Sequence, residues 1–524
     1  MVRTSEENLG NTSSKPATRD LAMVVTSNAT KRPWESSNDS NDSNDSSARV
    51  LVVRVLALLT LPLVLGVSFL VSLGHPGGPT GNLHWGTNDP DASSQGSIHA
   101  ILVAGSSGWG NYRHQADVAH AYHVLVSRGV PRENIVLMYA DDIANNTLNP
   151  HPGTIINHPH GKDLYAGLPK DYTHEEVTAQ NFLAVLRGDA SMVSKNEHAS
   201  GRVLTATEHD RVFVFYSDHG APGLLGMPTG DYLYADQLME AVRDRYLNHG
   251  FKEMVLFIEA CESGSMFDGL LSHDDAMNVW ATTASNPRES SWGVYCPGTI
   301  SPPPGEFTTC LGDLYSVAWM EDVEGARKKG ELGKESLRTL FQRVKARTNL
   351  SHVMEYGEEE IEFEPVAWYL GGGDASDDGD DGDDGDDGDD GDDGDDGDRL
   401  ADEKAGSGDS EKLGASAVAQ RDADLLHLQL TDPLGYEREK AARRELDMHV
   451  AETVVRAGVA RGNGALLDEV PTSEWDWECV RGMIRTYERV RGERLGDYGM
   501  RHSASFAELC AQGVGPTGLA AAMT

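Results

Sequence analysis

Cys261 and His219 are the residues whose types and setting offer chemistry. A thiolate attacks carbonyl carbon and a nearby imidazole moves the protons, the minimum for acyl transfer from a peptide. Each follows an apolar run of strand length. Met254-Val255-Leu256-Phe257-Ile258 leads through Glu259-Ala260 to Cys261, and the turn Glu262-Ser263-Gly264-Ser265 follows. Val212-Phe213-Val214-Phe215-Tyr216 leads to Ser217-Asp218-His219-Gly220 in the same way. Uninterrupted apolar runs suit the centre of a parallel sheet covered on both faces. Loops leaving the carboxyl ends of such strands form the crevice of open α/β sheets. Between the runs, Leu238, Ala241, Val242 and Tyr246 have helical spacing over residues 234–249, and Gly250 closes the segment, so the unit reads strand, helix, strand. If the strands are neighbours, His219 approaches Cys261. A lone cysteine after a strand is ordinarily a small buried apolar residue, and a lone histidine before glycine a turn residue. Both at corresponding strand ends, each followed by a glycine-containing turn, favour catalysis.

The elements that position this pair follow from the same patterns. Ala100–Ala104 is the first expected strand, residues 116–127 a helix stopped at Gly129, and Ile135–Tyr139 a second strand. Residues 333–349 are amphipathic through Leu337, Leu340, Phe341 and Val344, and Met354–Leu370 alternates as an edge strand does. Further on, helices are expected over 437–457, 474–490 and 503–512.

The chain of 524 residues carries a formal net charge of −39, which argues against general nucleic-acid binding. Sixteen aspartates lie between Asp374 and Asp398 in a Gly-Asp-Asp repeat that cannot pack, marking an extended linker rather than a calcium loop. The expected organisation is a disordered arm over 1–48, an apolar segment over 49–73, a Gly/Pro/Asn/Ser linker over 74–97, an α/β domain over 98–370, the acidic linker over 371–421 and a helical region over 422–524. Val50 to Leu73, flanked by Arg49 and Arg54, is expected to be either a signal anchor, tethering a single-pass type II membrane precursor, or a late cleaved signal; both put the remainder in a lumen. In that setting Asn145 and Asn349 are glycosylation sequons. His151, His158 and His160 lack a partner carboxylate or cysteine at usual ligand spacing, so no metal or cofactor is expected. Five cysteines in a lumenal chain imply pairs plus one free thiol.

Ser217-Asp218-His219-Gly220 and Glu259 to Met266 resemble the two catalytic blocks of the legumains, also called asparaginyl endopeptidases or vacuolar processing enzymes. Ala104 to Asp117, Ile155 to Asp171, Ala281 to Trp292 and Tyr295 to Asp313 resemble further blocks of the same family, so the similarity covers roughly residues 99–357. The resemblance implies a caspase-like, mostly parallel sheet flanked by helices, with a C-terminal all-helical prodomain acting as intramolecular inhibitor. It implies Cys261 as nucleophile, His219 as acid/base and Asn111 as the residue orienting it, with backbone amides at Gly220 and Cys261 as oxyanion donors. Substrate asparagine would meet Arg113 and His114 on one side, Glu259 and Asp313 on the other, and Ser290 or Ser291 between. Cys296 would pair with Cys310 and Cys479 with Cys510, leaving Cys261 free. The expected activity is cleavage after Asn, and after Asp at acidic pH, by an acid-activated zymogen of the vacuole or lysosome, with peptide ligation as a side activity. Two other readings stay open: a glycosylphosphatidylinositol-transamidase-like catalytic subunit, and an inactive membrane-tethered binding protein.

No asparagine lies between Leu350 and Gly462, so self-removal of the tail within that span must use another residue. Aspartate is the close chemical substitute, and its exclusion from a carboxylate-lined pocket relaxes as carboxylates take up protons near about pH 4. Intact-mass analysis after acidic incubation should therefore find ragged ends at Asp within the 374–398 repeat, absent at neutral pH and after Asp-to-Ser replacement. A tail lost equally at neutral pH would refute this route.

Overall fold

A computed structural model describes residues 96–328, 335–372, 417–457 and 471–524, all within one unit spanning residues 85–524. Strands apolar on both faces must be covered on both faces, and that requirement organises the fold. Ile98–Ala104 (β1), Ile135–Met138 (β2), Arg211–Ser217 (β3), Glu253–Glu259 (β4), Val279–Thr283 (β5) and Met354–Gly357 (β6) form one six-stranded sheet in the order β6-β5-β4-β3-β1-β2. All neighbours run parallel except β6, which is antiparallel to β5 at the edge.

Five helices cover this sheet: Tyr112–Ser127 (α1), Ala179–Arg187 (α2), Ala235–Leu247 (α3), Leu314–Lys328 (α4) and Leu337–Arg347 (α5). The two-residue period of β3 divides its side chains between two cores. Val212, Val214 and Tyr216 join Phe182, Leu183, Leu238 and Met239 from α2 and α3. Phe213 and Phe215 join Tyr122, Trp319 and Phe341 from α1, α4 and α5. Local signals explain the helix ends: Thr178 and Ser336 accept hydrogen bonds from the backbone N–H groups of Asn181 and Thr339, and Gly188 takes the left-handed conformation that stops α2.

The C-terminal region is helical: Gln420–Thr431 (α6), Pro433–Arg456 (α7), Trp477–Arg491 (α8), Gly496–Gly499 (α9), Ser503–Ala511 (α10) and Pro516–Met523 (α11). A disulfide from Cys479 to Cys510 joins α8 to α10, and another joins Cys296 to Cys310. Trp477, Val480, Met483, Ile484 and Phe506 continue the core on the α2/α3 side of the sheet, so the tail is packed against the sheet domain. Ion pairs Arg481–Asp236 and Arg485–Asp231 bridge the two at 2.7 and 2.8 Å. Arg485–Asp231 is exposed and contributes about 0–1 kcal/mol, Arg481–Asp236 is only partly exposed, and burial of the apolar side chains does most of the holding.

Several expectations are corrected. The transmembrane expectation is not upheld: no helix among the described residues is long and apolar enough to cross a membrane, and residues 50–73, on which it rested, lie outside the described residues, as does the acidic repeat. The alternation over 354–370 yields strand only to Gly357, after which Glu359–Phe363 turns into a short 3-10 helix. Helix α1 begins at Tyr112, four residues before the expected start. Helix α6, which falls across the expected linker boundary at residue 421, was not anticipated.

Gly223, at φ 70°, lies beneath Trp477, where an added Cβ would come within 2.5 Å of the indole. Trp477→Ala should weaken docking of the tail by about 3 kcal/mol, seen as faster loss of the tail in limited proteolysis at neutral pH. Unchanged proteolysis would place the holding energy elsewhere.

Candidate active site

Strands β3 and β4 pair in register from Arg211 with Glu253 to Ser217 with Glu259, and the Asp218 N–H donates to the Glu259 carbonyl at 3.0 Å. The register thus runs past the strand ends, bringing His219 and Cys261 out of the same sheet edge. Gly220 sits so close to Cys261 that a Cβ there would fall 2.0 Å from the Cys261 carbonyl oxygen; only glycine permits that approach. Asn111, immediately before α1, accepts through Oδ1 from His219 Nε2 at 2.8 Å, and its Nδ2 donates to the Ser107 carbonyl at 3.1 Å. This fixes the imidazole plane and puts the proton on Nε2.

Beside the pair lies a fully buried polar pocket. Arg113 Nε donates to Asp313 Oδ1 at 3.0 Å, with both side chains inaccessible to solvent. His114 Nδ1 bonds to Ser106 Oγ at 2.6 Å, and its Nε2 lies 3.5 Å from Asp313 Oδ2. Glu259 Oε2 accepts from the Ser316 N–H and hydroxyl at 3.0 and 3.1 Å. Burial first, then Asp313, pushes the Glu259 carboxyl up to about 8, so it holds a proton at neutral pH. Burial likewise raises Asp313, opposed by Arg113, and drives His114 well below its ordinary value. Of the two candidate serines, Ser291 reaches the pocket, where its Oγ donates to Gln420 Oε1 at 2.9 Å; its neighbour Ser290 is half-buried.

The pocket is filled by the chain itself. Val418–Ala419 adds to Trp292–Val294 as an antiparallel strand, with Gly312–Asp313 on the opposite side, and the Gln420 N–H donates to the Ser291 carbonyl at 3.0 Å. Gln420 is fully buried. Its Oε1 accepts from Ser291 Oγ at 2.9 Å and Cys261 Sγ at 3.3 Å, and its Nε2 lies 3.1 Å from His114 Nε2. Its backbone carbonyl accepts from Arg113 Nη2 at 3.2 Å. A carboxamide residue is thus held as an added strand, but with its carbonyl directed to Arg113 as α6 begins. Arg421 pairs with Glu262, whose carboxyl burial pushes up to about 7. Asp497 Oδ2 accepts from Asn111 Nδ2 at 3.3 Å and lies 3.9 Å from His219 Nε2.

Covering changes the chemistry. Burial, then the charge of Glu262, raises the Cys261 thiol, with Arg421 acting against both; burial, then Arg113, takes His219 well below its ordinary value. Under the tail the pair is a neutral thiol and a neutral imidazole, an unreactive combination. Sequence reasoning missed Gln420, Arg421 and Asp497; the first two lie more than 150 residues from Cys261 along the chain, and no local pattern marks them.

A family model described as the peptidase C13 family matches residues 98–372, and one described as the legumain prodomain matches residues 437–524. The vacuolar-processing enzyme of Phaseolus vulgaris is 43% identical over 450 residues, covering 83% of this chain and 86% of that protein. The vacuolar-processing enzyme beta-isozyme of Arabidopsis thaliana is 42% identical over 449 residues (81% and 85%), and legumain of Canavalia ensiformis 40% over 453 residues (81% and 87%). The crystal structure of caspase-1 from Spodoptera frugiperda matches 53% of this chain and 92% of its own at 13% identity with a TM-score of 0.29, a likeness too slight to build on.

Gln420→Ala removes the hydrogen bonds of the plugging side chain, each worth about 1 kcal/mol. Alkylation of Cys261 by iodoacetamide in the intact chain at neutral pH should speed up by about tenfold or more; an unchanged rate would mean that Gln420 does not hold the site shut.

Proposed function

The chain belongs to the peptidase C13 family, and from that premise we propose that it is an asparagine-directed cysteine endopeptidase made as a zymogen, with residues 98–370 catalytic and the C-terminal helices an intramolecular inhibitor. The observation that carries the reading is the buried Gln420 carboxamide beside Cys261, in a cleft that receives its main chain as an added strand. A substrate asparagine offers the same amide on a side chain one methylene shorter, a donor and an acceptor together. Arg113 and Ser291 supply donors, and Asp313 supplies the acceptor for the amide N–H.

Once the cleft is open, Cys261 passes its thiol proton to His219 and as thiolate attacks the carbonyl carbon of the asparagine residue. The oxyanion is taken up by backbone N–H groups at Gly220 and Cys261. His219, oriented by Asn111, gives the proton to the departing amine as the C–N bond breaks, leaving a thioester. Water, losing its proton to His219, then hydrolyses that thioester; an incoming amine would instead form a new peptide bond. Neither the transamidase reading nor the inactive reading accounts for a prodomain match beside this filled cleft.

Acid acts on the cover through His219 and through His427, which lies 2.8 Å from Thr308 Oγ1 and whose pKa is lowered by burial. A base with a lower pKa when covered binds its proton preferentially when uncovered. Its contribution to covering is complete above the open-state value near 6.5 and is lost as pH falls below it. Glu262 and Asp497, raised by burial, act oppositely: their contribution is complete at low pH and is lost as pH rises through their covered values. They offset part of the histidine effect, so release falls below the ordinary histidine range.

The names of the relatives point to a vacuolar or lysosomal lumen, where the exposed sequons Asn145 and Asn349 would carry glycans. The assignment is tested with fluorogenic peptides after acid treatment. Asn peptides should be turned over, Cys261→Ala and His219→Ala should be inactive, and Arg113→Ala should lose most turnover while Cys261 remains open to alkylation. Activity persisting in Cys261→Ala would remove the mechanism.

A further inference from the structure

We propose that Asp142 is a positioning residue for the reaction: its carboxylate holds the Ser107-Gly108 peptide that anchors Asn111, and through Asn111 it sets how His219 faces Cys261. This rests on the peptidase reading above and adds to it a residue that touches neither substrate nor the reacting atoms.

Asp142 lies four residues past the end of β2, which pairs in parallel with β1 as far as Met138 with Val103. The loops leaving β1 and β2 therefore emerge side by side at the sheet edge that carries His219 and Cys261. Asp142 Oδ2 accepts from the Gly108 N–H at 2.7 Å, and its Oδ1 accepts from Gln115 Nε2 at 2.6 Å. Gln115, buried on α1, accepts through Oε1 from the Asp141 N–H at 3.0 Å, so its amide has one orientation and both Asp142 oxygens are committed. Gly108 stands at φ 85°, ψ 159°, a region essentially closed to residues with a Cβ, and a glycine gives up the most conformational freedom when it is fixed. The Gly108 N–H and the Ser107 carbonyl belong to one peptide plane, so a carboxylate that holds the first aims the second. That carbonyl accepts from Asn111 Nδ2 at 3.1 Å, the Gly108 carbonyl accepts from the Asn111 N–H at 3.1 Å, and Asn111 Oδ1 accepts from His219 Nε2 at 2.8 Å.

The open enzyme depends on this bond more than the covered one does. Under the tail, Asn111 Nδ2 has a second acceptor in Asp497 Oδ2 at 3.3 Å. When the tail leaves, Asp497 leaves with it, and the Ser107 carbonyl is the acceptor that stays with the sheet domain. Without Asp142 the Ser107-Gly108 peptide is free to rotate, and Asn111 loses the anchor that keeps its oxygen rather than its amide nitrogen toward His219. A carboxamide turned over meets the imidazole with a donor and favours the wrong tautomer. Arg113 keeps its own bond to Asp313, so the loss falls on turnover more than on binding.

The test measures kcat and KM for an Asn peptide with acid-processed wild type, Asp142→Ala, Asn111→Ala and the double variant, using single-turnover rates where turnover is slow. In Asp142→Ala kcat should fall by about tenfold or more while KM stays within about twofold. In the Asn111→Ala background the same substitution should lower kcat by no more than about twofold, because the residue it acts through is gone. Asp142→Asn alone should lose turnover, since its amide nitrogen faces a donor. Adding Gln115→Glu, which again sets every donor against an acceptor, should bring kcat back to within about threefold of wild type. Unchanged kcat in Asp142→Ala, or a fall by the same factor in both backgrounds, would overturn the proposal. If Asp142→Ala does not fold, the exchange decides: Asp142→Asn that matches wild type, or that gains nothing from Gln115→Glu, overturns it. Wild type that cleaves no Asn peptide would sink the peptidase assignment and this inference with it, whereas Asn cleavage with kcat unmoved in Asp142→Ala sinks this inference alone.

Discussion

Seven residues of parallel pairing between β3 and β4 hold the rest of the molecule in place. Both strands are buried on both faces, so neither can slip by one residue without moving every apolar side chain into the wrong core. That constraint delivers His219 and Cys261 to one sheet edge. With α1 packed beside β3, it also brings Asn111, Arg113 and His114 to the same crevice. The site is rigid because its supports are strands and helices rather than long loops.

The pocket beside the nucleophile is a problem in buried charge. Asp117, Glu259 and Asp313 are all withdrawn from water, and one guanidinium, Arg113, is bonded among them. A protein interior tolerates one such pair well and penalises further ions by several kcal/mol each. Burial answers this by raising the carboxyl pKa values, that of Glu259 up to about 8 and those of Asp313 and Asp117 in the same direction. The result is a mosaic of donors and acceptors complementary to an amide, since an amide needs both and adds no charge.

The tail uses the same complementarity against the enzyme. It adds a strand to the cleft and inserts a glutamine, with the local concentration of a covalently linked ligand. The departure of α6 at Gln420 turns the backbone carbonyl to Arg113, so the peptide bond that follows is not presented to Cys261. Burial then keeps thiol and imidazole neutral. Inhibition and chemical quiescence therefore have one cause, the exclusion of water by the tail.

What the sequence determined by itself is what depends on neighbours along the chain: continuous apolar runs make buried strands, Gly129 and Gly250 close the segments before them, and family blocks nominate Cys261, His219, Asn111 and the polar pocket residues as site candidates. The antiparallel edge strand was overextended because Met354–Leu370 alternates past Gly357, where the chain leaves the sheet. What only the tertiary structure decided depends on residues far apart in sequence meeting away from water. Gln420 carries no local signal, yet it meets Ser291, His114 and Cys261 across 129 to 306 residues. The upward shifts of the Glu259 and Asp117 carboxyls are equally illegible in sequence, because a carboxyl's charge is set by how much water and which ions surround it, and folding alone decides both.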